Sequence, residues 1–297
     1  MKTVMDKQSL NILVTGAYGQ LGNSVKRAAQ KSTDRYFFTD VDSLDITDHA
    51  AVNDFVVKNN IDVIVNCAAY TNVDAAEDNY EVAELLNGRA PGILAEIMKQ
   101  NNGTLIHIST DYVFGGDLVN TPVDENCPTN PTGVYGLTKL HGENEIKDSG
   151  ASAIIIRTSW LYSEFGANFV KKIISLLQAR DSIKVVFDQC GTPTYAGDLA
   201  ETIVTVISNR KLKGFEGIYH FSNEGVCSWF DFASAICNLS EFKDKEILPC
   251  HSNEFPSKVT RPPYSVMDKT KIKETFNVKI PHWHDSLRVC MRNMASE

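Results

Sequence analysis

Short apolar runs punctuate the first half of the chain, and the segments between them carry apolar positions at the longer period of helices. The runs NILVT (11–15), YFFTD (36–40), DVIVNCAA (62–69), TLIHIST (104–110) and SAIIIRTSW (152–160) do not alternate strictly with polar residues. That pattern suits strands covered on both faces. Helices are predicted at 20–30, at 45–60 with Thr47 or Asp48 at its start, at 81–101, and around VYGLTK (134–139). Strands alternating with helices predict an α/β fold built on a doubly wound parallel sheet.

Beyond about residue 160 the pattern is less regular. Segments 168–179, 197–209 and 229–239 read as helices, 217–223 as a strand, and 255–268 as an extended, proline-broken stretch. The expected division is a core over 10–165 and, interleaved with it, a sheet extension and smaller C-terminal lobe over 166–297. No repeat or low-complexity tract interrupts either part. Residues 1–9 are assigned no role beyond a disordered tail.

The 297 residues suffice for a sizeable core, and 43% hydrophobic with 22% charged residues is ordinary globular composition. A net charge of −8 argues against a nucleic-acid surface. No run of 18 apolar residues suggests a membrane span, and the first residues lack a signal peptide's apolar core. The seven cysteines form no CxxC pair, so reduced thiols in a cytoplasmic protein are expected rather than a zinc site or disulfide framework.

TGAYGQLG (15–22) joins the first strand to the first helix. Gly16, Gly19 and Gly22 let the backbone turn sharply and approach a pyrophosphate at the helix N-terminus, with Gln20 and Leu21 in the same turn. Asp40 ends the second strand 24 residues after Gly16, where a carboxylate accepts hydrogen bonds from ribose hydroxyls and repels a 2′-phosphate. Asp42 competes for that role. Asp45 and Ile46 offer one polar and one apolar contact to an adenine. Ala68 and Ala69, with Tyr70 after them, follow the third strand and leave room for a ligand near the backbone.

Thr110 and Asp111 stand at the end of the fourth strand, where ligands bind in such sheets, although either could serve only as a cap. Tyr135 and Lys139 are four residues apart and share a helix face. A neighbouring ammonium favours phenolate, which predicts a lowered Tyr135 pKa and a phenol useful as acid or base. Phosphate loop, strand-end hydroxyl and YxxxK helix, in this order, point to carbonyl reduction or alcohol oxidation with a nicotinamide carrying the hydride.

Across nearly its whole length the chain resembles the extended short-chain dehydrogenases/reductases, and within them the dTDP-4-dehydrorhamnose reductase family. GAYGQLG, DVIVNCAAYTNVDAAE, LIHISTDYVFGG, YGLTKLHGE, IIRTSWLY, NFVKKI, DQCGTPTYAGDLA and RPPYSVMD carry the resemblance. It implies a Rossmann-type dinucleotide-binding core with a substrate-binding C-terminal lobe, and NADH- or NADPH-dependent reduction of the C4 ketone of dTDP-4-dehydro-6-deoxy-L-mannose. It also implies roles. Tyr135 would donate the proton, Lys139 would bind the nicotinamide ribose and tune the tyrosine, and Thr110 would bond the reacting oxygen with Asp111 beside it. Trp160 would pack on the sugar, and Asn168, Lys171 and Arg261 would hold the diphosphate. Some members carry a magnesium-linked acidic interface; no acidic cluster here matches it residue by residue, so no metal site is expected, and a homodimer is left open.

Two other readings belong to the same fold. One is an epimerase or dehydratase that retains its NAD and recycles the hydride. The other is a non-catalytic regulatory subunit similar to the methionine adenosyltransferase beta subunit.

Overall fold

A computed structural model describes residues 9–295 apart from Gly116, Leu118 and Pro256, so the tail expected over residues 1–9 lies outside the described residues except for Ser9. Six parallel strands form the central sheet: β1 (Asn11–Thr15), β2 (Arg35–Phe38), β3 (Val63–Asn66), β4 (Thr104–Thr110), β5 (Ser152–Thr158) and β6 (Gly217–Phe221). Their order is β6-β5-β4-β3-β1-β2. The chain reverses its winding direction between β1 and β3, and a crevice opens there beyond the carboxyl ends of the strands.

Both faces of the sheet are covered, which is why the strands read as continuous apolar runs. Ile12 and Val14 point into one cluster with α1 (Gln20–Ala28) and the helix Ala196–Ser208. Leu13 points the other way, into a cluster with α2 (His49–Asn59) and α3 (Ala90–Gln100). Asp48 caps α2, its Oδ1 accepting from Ala51 N at 3.0 Å. A third cluster joins Tyr162, Ile173, Phe232, Trp283 and Leu287. β6 and the helix Ala196–Ser208 come from the second half of the chain yet build the central sheet and its cover.

Three features differ from the pattern read along the chain. The helix expected over 81–101 is broken: Tyr80–Glu84 runs into a π-helical turn, Leu85–Arg89, before α3. That turn aims Asn87 at Tyr70, where Oδ1 accepts from Tyr70 N at 2.8 Å and Nδ2 donates to Tyr70 O at 3.0 Å. Strands Ser182–Val186 and Glu246–Cys250 pair in parallel, a partnership between segments too distant for local pattern to reveal. Helix Trp283–Met294 also went unread, because charged residues dilute its buried stripe of Trp283, Leu287 and Cys290.

Candidate active site

A cleft of about 800 Å³ lies at the carboxyl ends of β1, β3, β4 and β5. Its first wall is the glycine loop. Gly16 has φ +63°, and a Cβ there would stand 2.6 Å from the Ala68 nitrogen. At Gly22 a Cβ would stand 2.3 Å from the Gly16 carbonyl oxygen. Only glycine satisfies both positions, and the loop therefore lies flat across the strand ends with the N-terminus of α1 facing the cleft. A helix N-terminus so placed, with open backbone on either side, fits a dinucleotide pyrophosphate.

Asp40, Asp45, Ile46, Ala68 and Ala69 continue the lining, as do Gln20 and Leu21; Asp42 does not reach it. Asp40 also braces the loop: Oδ2 accepts from Tyr18 N and Oδ1 from Val41 N, both at 2.9 Å. Asp45 Oδ1 accepts from Thr47 N at 2.9 Å and from Thr47 Oγ1 at 2.8 Å, which fixes the turn that presents Ile46.

The opposite wall carries the acid–base groups. Thr110 ends β4; its Oγ1 accepts from Tyr112 N at 3.2 Å and donates to Asp111 Oδ1 at 3.1 Å. Helix α4 (Val134–Ser149) packs tightly here because Gly136 has no side chain: a Cβ would lie 2.2 Å from Tyr112 O. This approach brings the half-buried Tyr135 to Thr110 and sets its ring edge-on to Tyr112, centroids 5.5 Å apart. Further along α4, Glu143 accepts from Arg157 Nε at 2.9 Å, from Arg157 Nη2 at 2.7 Å and from Ser109 Oγ at 2.6 Å, a buried clamp between helix and sheet.

Burial lifts the Asp111 carboxyl to about 7, with the Ser265 and Thr110 hydroxyls working to lower it. Burial likewise raises the Tyr135 phenol above its usual range; Thr110 opposes this and Asp111 adds to it. The expected depression of Tyr135 by Lys139 is therefore corrected. Lys139 shares the helix face, but its Nζ bends into the sheet, 2.6 Å from Ile108 O and 3.2 Å from His107 Nε2. Burial brings Lys139 itself down to about 8, against the opposing pull of Glu143.

The far end of the cleft is aromatic. Trp160 adopts a left-handed backbone, φ +47°, uncommon outside glycine, and stacks on Trp229 with centroids 3.5 Å apart and planes 9° from parallel. Thr158 lines the cleft beside it, and its buried Oγ1 has no hydrogen-bond partner among the described residues. Arg261 faces the same space, its Nη2 3.3 Å from Asp74 Oδ2.

Besides Asp42, four residues singled out from the sequence stand outside the lining. Gly22 serves the packing of α1, and Tyr70 is held through its backbone by Asn87. Asn168 caps the helix Phe169–Ala179, accepting from Lys171 N at 3.2 Å and donating to Ser163 O at 2.7 Å. With its amide so occupied it is not free to hold a diphosphate, and Lys171 sits one turn into the same helix, away from the cleft. Gly166 and Ala167 form the wall there instead. The sequence reading missed Trp229, Asn66 and His107. The last two are polar residues inside apolar strand runs, and a buried polar group needs a partner, which was the available signal. Among the described residues no group of three or more His, Cys, Asp or Glu is arranged to hold a metal, and no helix is long and apolar enough to cross a membrane.

Along nearly its whole length the chain is similar to known proteins. The family model described as "RmlD substrate binding domain" matches residues 10–296. A dTDP-4-dehydrorhamnose reductase from Aggregatibacter actinomycetemcomitans is 37% identical, covering 93% of this chain and 97% of the relative. The crystal structure of a dTDP-4-dehydrorhamnose reductase from Clostridium acetobutylicum superposes with a TM-score of 0.91 at 38% identity, covering 96% of this chain and 100% of that one. One from Bacillus anthracis, in complex with NADP, superposes with a TM-score of 0.87 at 34% identity, covering 96% and 99%.

Proposed function

The chain belongs to the dTDP-4-dehydrorhamnose reductase family, and on that premise we propose that it reduces the C4 ketone of dTDP-4-dehydro-6-deoxy-L-mannose to dTDP-L-rhamnose. The observation that carries this reading is convergence: Thr110, Tyr135 and Lys139 line the same cleft as the glycine loop. A bound nicotinamide coenzyme supplies the hydride. The raised pKa keeps the Tyr135 proton in place at neutral pH, the form needed to protonate the nascent alkoxide, and Thr110 steadies the same oxygen. Trp160 and Trp229 give the sugar an apolar wall, and Arg261 is the cation available to the diphosphate. Asp40 and Asp45 place carboxylates in the lining near the loop, so NADH should serve at least as well as NADPH. Seven free cysteines suit a cytoplasmic enzyme.

The test is to add the keto sugar nucleotide and follow loss of NADH and NADPH absorbance. Stoichiometric consumption supports reduction; product without net consumption indicates a hydride-recycling epimerase or dehydratase, and binding without turnover a regulatory subunit. Tyr135→Phe should lower kcat by ~10²-fold or more while coenzyme binding persists.

A further inference from the structure

We propose that Glu77 is a positioning residue: its carboxylate anchors the first turn of α4 and so sets where the Tyr135 hydroxyl stands. The proposal rests on the reductase reading for its catalytic meaning, and on the geometry of a helix end for its substance.

The first N–H groups of an α-helix have no acceptor within the helix, and a Ser, Thr, Asp or Asn at the N-cap commonly takes one of them. Helix α4 begins without such a residue. Its N-cap is Gly133, in extended backbone, with no side chain to turn back on the helix. The acceptor comes from another element instead: Glu77 Oε1 accepts from Val134 N at 2.8 Å. Gly133 makes the room for it. A Cβ there would stand 2.9 Å from Glu77 Oε1 and 2.9 Å from Val259 Cγ1. The helix thus lacks a capping side chain of its own, and a carboxylate from the segment after β3 takes that place. A negative group also suits the positive end of the helix.

Tyr135 follows Val134 directly, so its backbone belongs to the anchored turn. On its other side Gly136 packs against Tyr112 O. These two contacts bracket the phenol, one toward the end of β4 and the other toward the segment after β3. Glu77 is not part of the cleft lining, so it acts through the helix and not on a ligand. It closes the short helix Val73–Ala76, whose neighbouring carboxylates hold a different stretch of chain. Asp74 takes Arg261 Nη2 at 3.3 Å and Ser257 Oγ at 3.1 Å, and Asp78 pairs with Lys258. Asp78 is therefore a carboxylate of the same turn that can be removed without removing the anchor.

Four variants of the full-length protein test this. Hydrogen exchange at the Val134 amide reads the anchor without turnover, and steady-state kinetics with the keto sugar nucleotide and NADH read its consequence. Glu77→Ala should speed that exchange by ~5-fold or more, the scale of a lost N-cap. It should lower kcat by ~10-fold with KM and coenzyme Kd unchanged, as expected when a reacting group is misplaced but binding is intact. Glu77→Gln keeps an oxygen for the Val134 N–H without the charge, and should retain both the slow exchange and most of kcat. Glu77→Asp keeps the charge on a stem one methylene shorter, and should behave as Glu77→Ala. Asp78→Ala should match wild type in both readings. Wild-type kcat in Glu77→Ala, a Glu77→Gln variant as slow as Glu77→Ala, a loss carried in KM, or an equal loss in Asp78→Ala overturns the proposal. Should Glu77→Ala fail to fold, the contrast between Glu77→Gln and Glu77→Asp decides: equal kcat in the two overturns it. Because amide exchange needs no substrate, a protein inactive on the keto sugar would overturn the substrate assignment and leave the anchor to be judged by exchange alone.

Discussion

Asp111 shows how a single buried group couples this site to pH. Its carboxyl titrates near 7 in the folded chain, against ~3.9 for a free aspartate. Between those values the folded state binds the extra proton, so stability falls as pH rises through this window and the penalty is complete above about 7. Asp111→Asn keeps an acceptor for Thr110 and removes the charge. Its melting temperature should match wild type near pH 4 and exceed it by ~3 °C or more at pH 8, measured by calorimetry. Equal melting temperatures at both pH values would show that the carboxylate is accommodated without cost. Residue spacing made Tyr135 and Lys139 legible as a pair, but not the direction of the lysine stem. That direction depends on a carbonyl of Ile108 and a ring of His107 that belong to another element.

Helix α4 carries Tyr135 and Lys139, on which the proposed chemistry depends, and it is held by more than apolar contact. Glu143 and Arg157 meet with almost no exposure to solvent, which joins the helix to β5. Removing one partner leaves a buried charge uncompensated. Arg157→Leu should cost ~3–5 kcal/mol in urea unfolding, and adding Glu143→Leu should recover much of the loss. A double variant as unstable as the single one would mean that the two residues act separately. Most elements of the sheet were readable, because burial on both faces writes itself as continuous apolar runs. The π turn at Leu85–Arg89 was not: its register is set by the Asn87 clamp on Tyr70 rather than by helical period.

For the whole molecule, the cleft exists because the carboxyl edge of the sheet meets the C-terminal half of the chain. The Trp160–Trp229 stack is that meeting point, one ring just past β5 and the other opening the helix Trp229–Leu239. A stacked pair is worth ~0.5–1.5 kcal/mol beyond buried area. Trp229→Ala should therefore raise KM for the sugar nucleotide by about tenfold, with little change in coenzyme Kd. An equal loss of coenzyme affinity would place the pair in the dinucleotide half instead.

What the sequence determined by itself is what acts within one turn or one strand: the glycine spacing, the strand-end Thr110, the YxxxK face, the apolar periods. Each is enforced by local backbone geometry, so each is written locally. What only the tertiary structure decided is which distant polar atoms meet. Thr15, Asn66, His107 and Lys139 come from three strands and a helix, and only the sheet order places them in one hydrogen-bonded line. Asn168 and Arg261 looked alike as candidate ligands, yet one is spent on capping a helix and the other faces the cleft. A side chain's partners depend on the path of the whole backbone, and no local pattern carries that path.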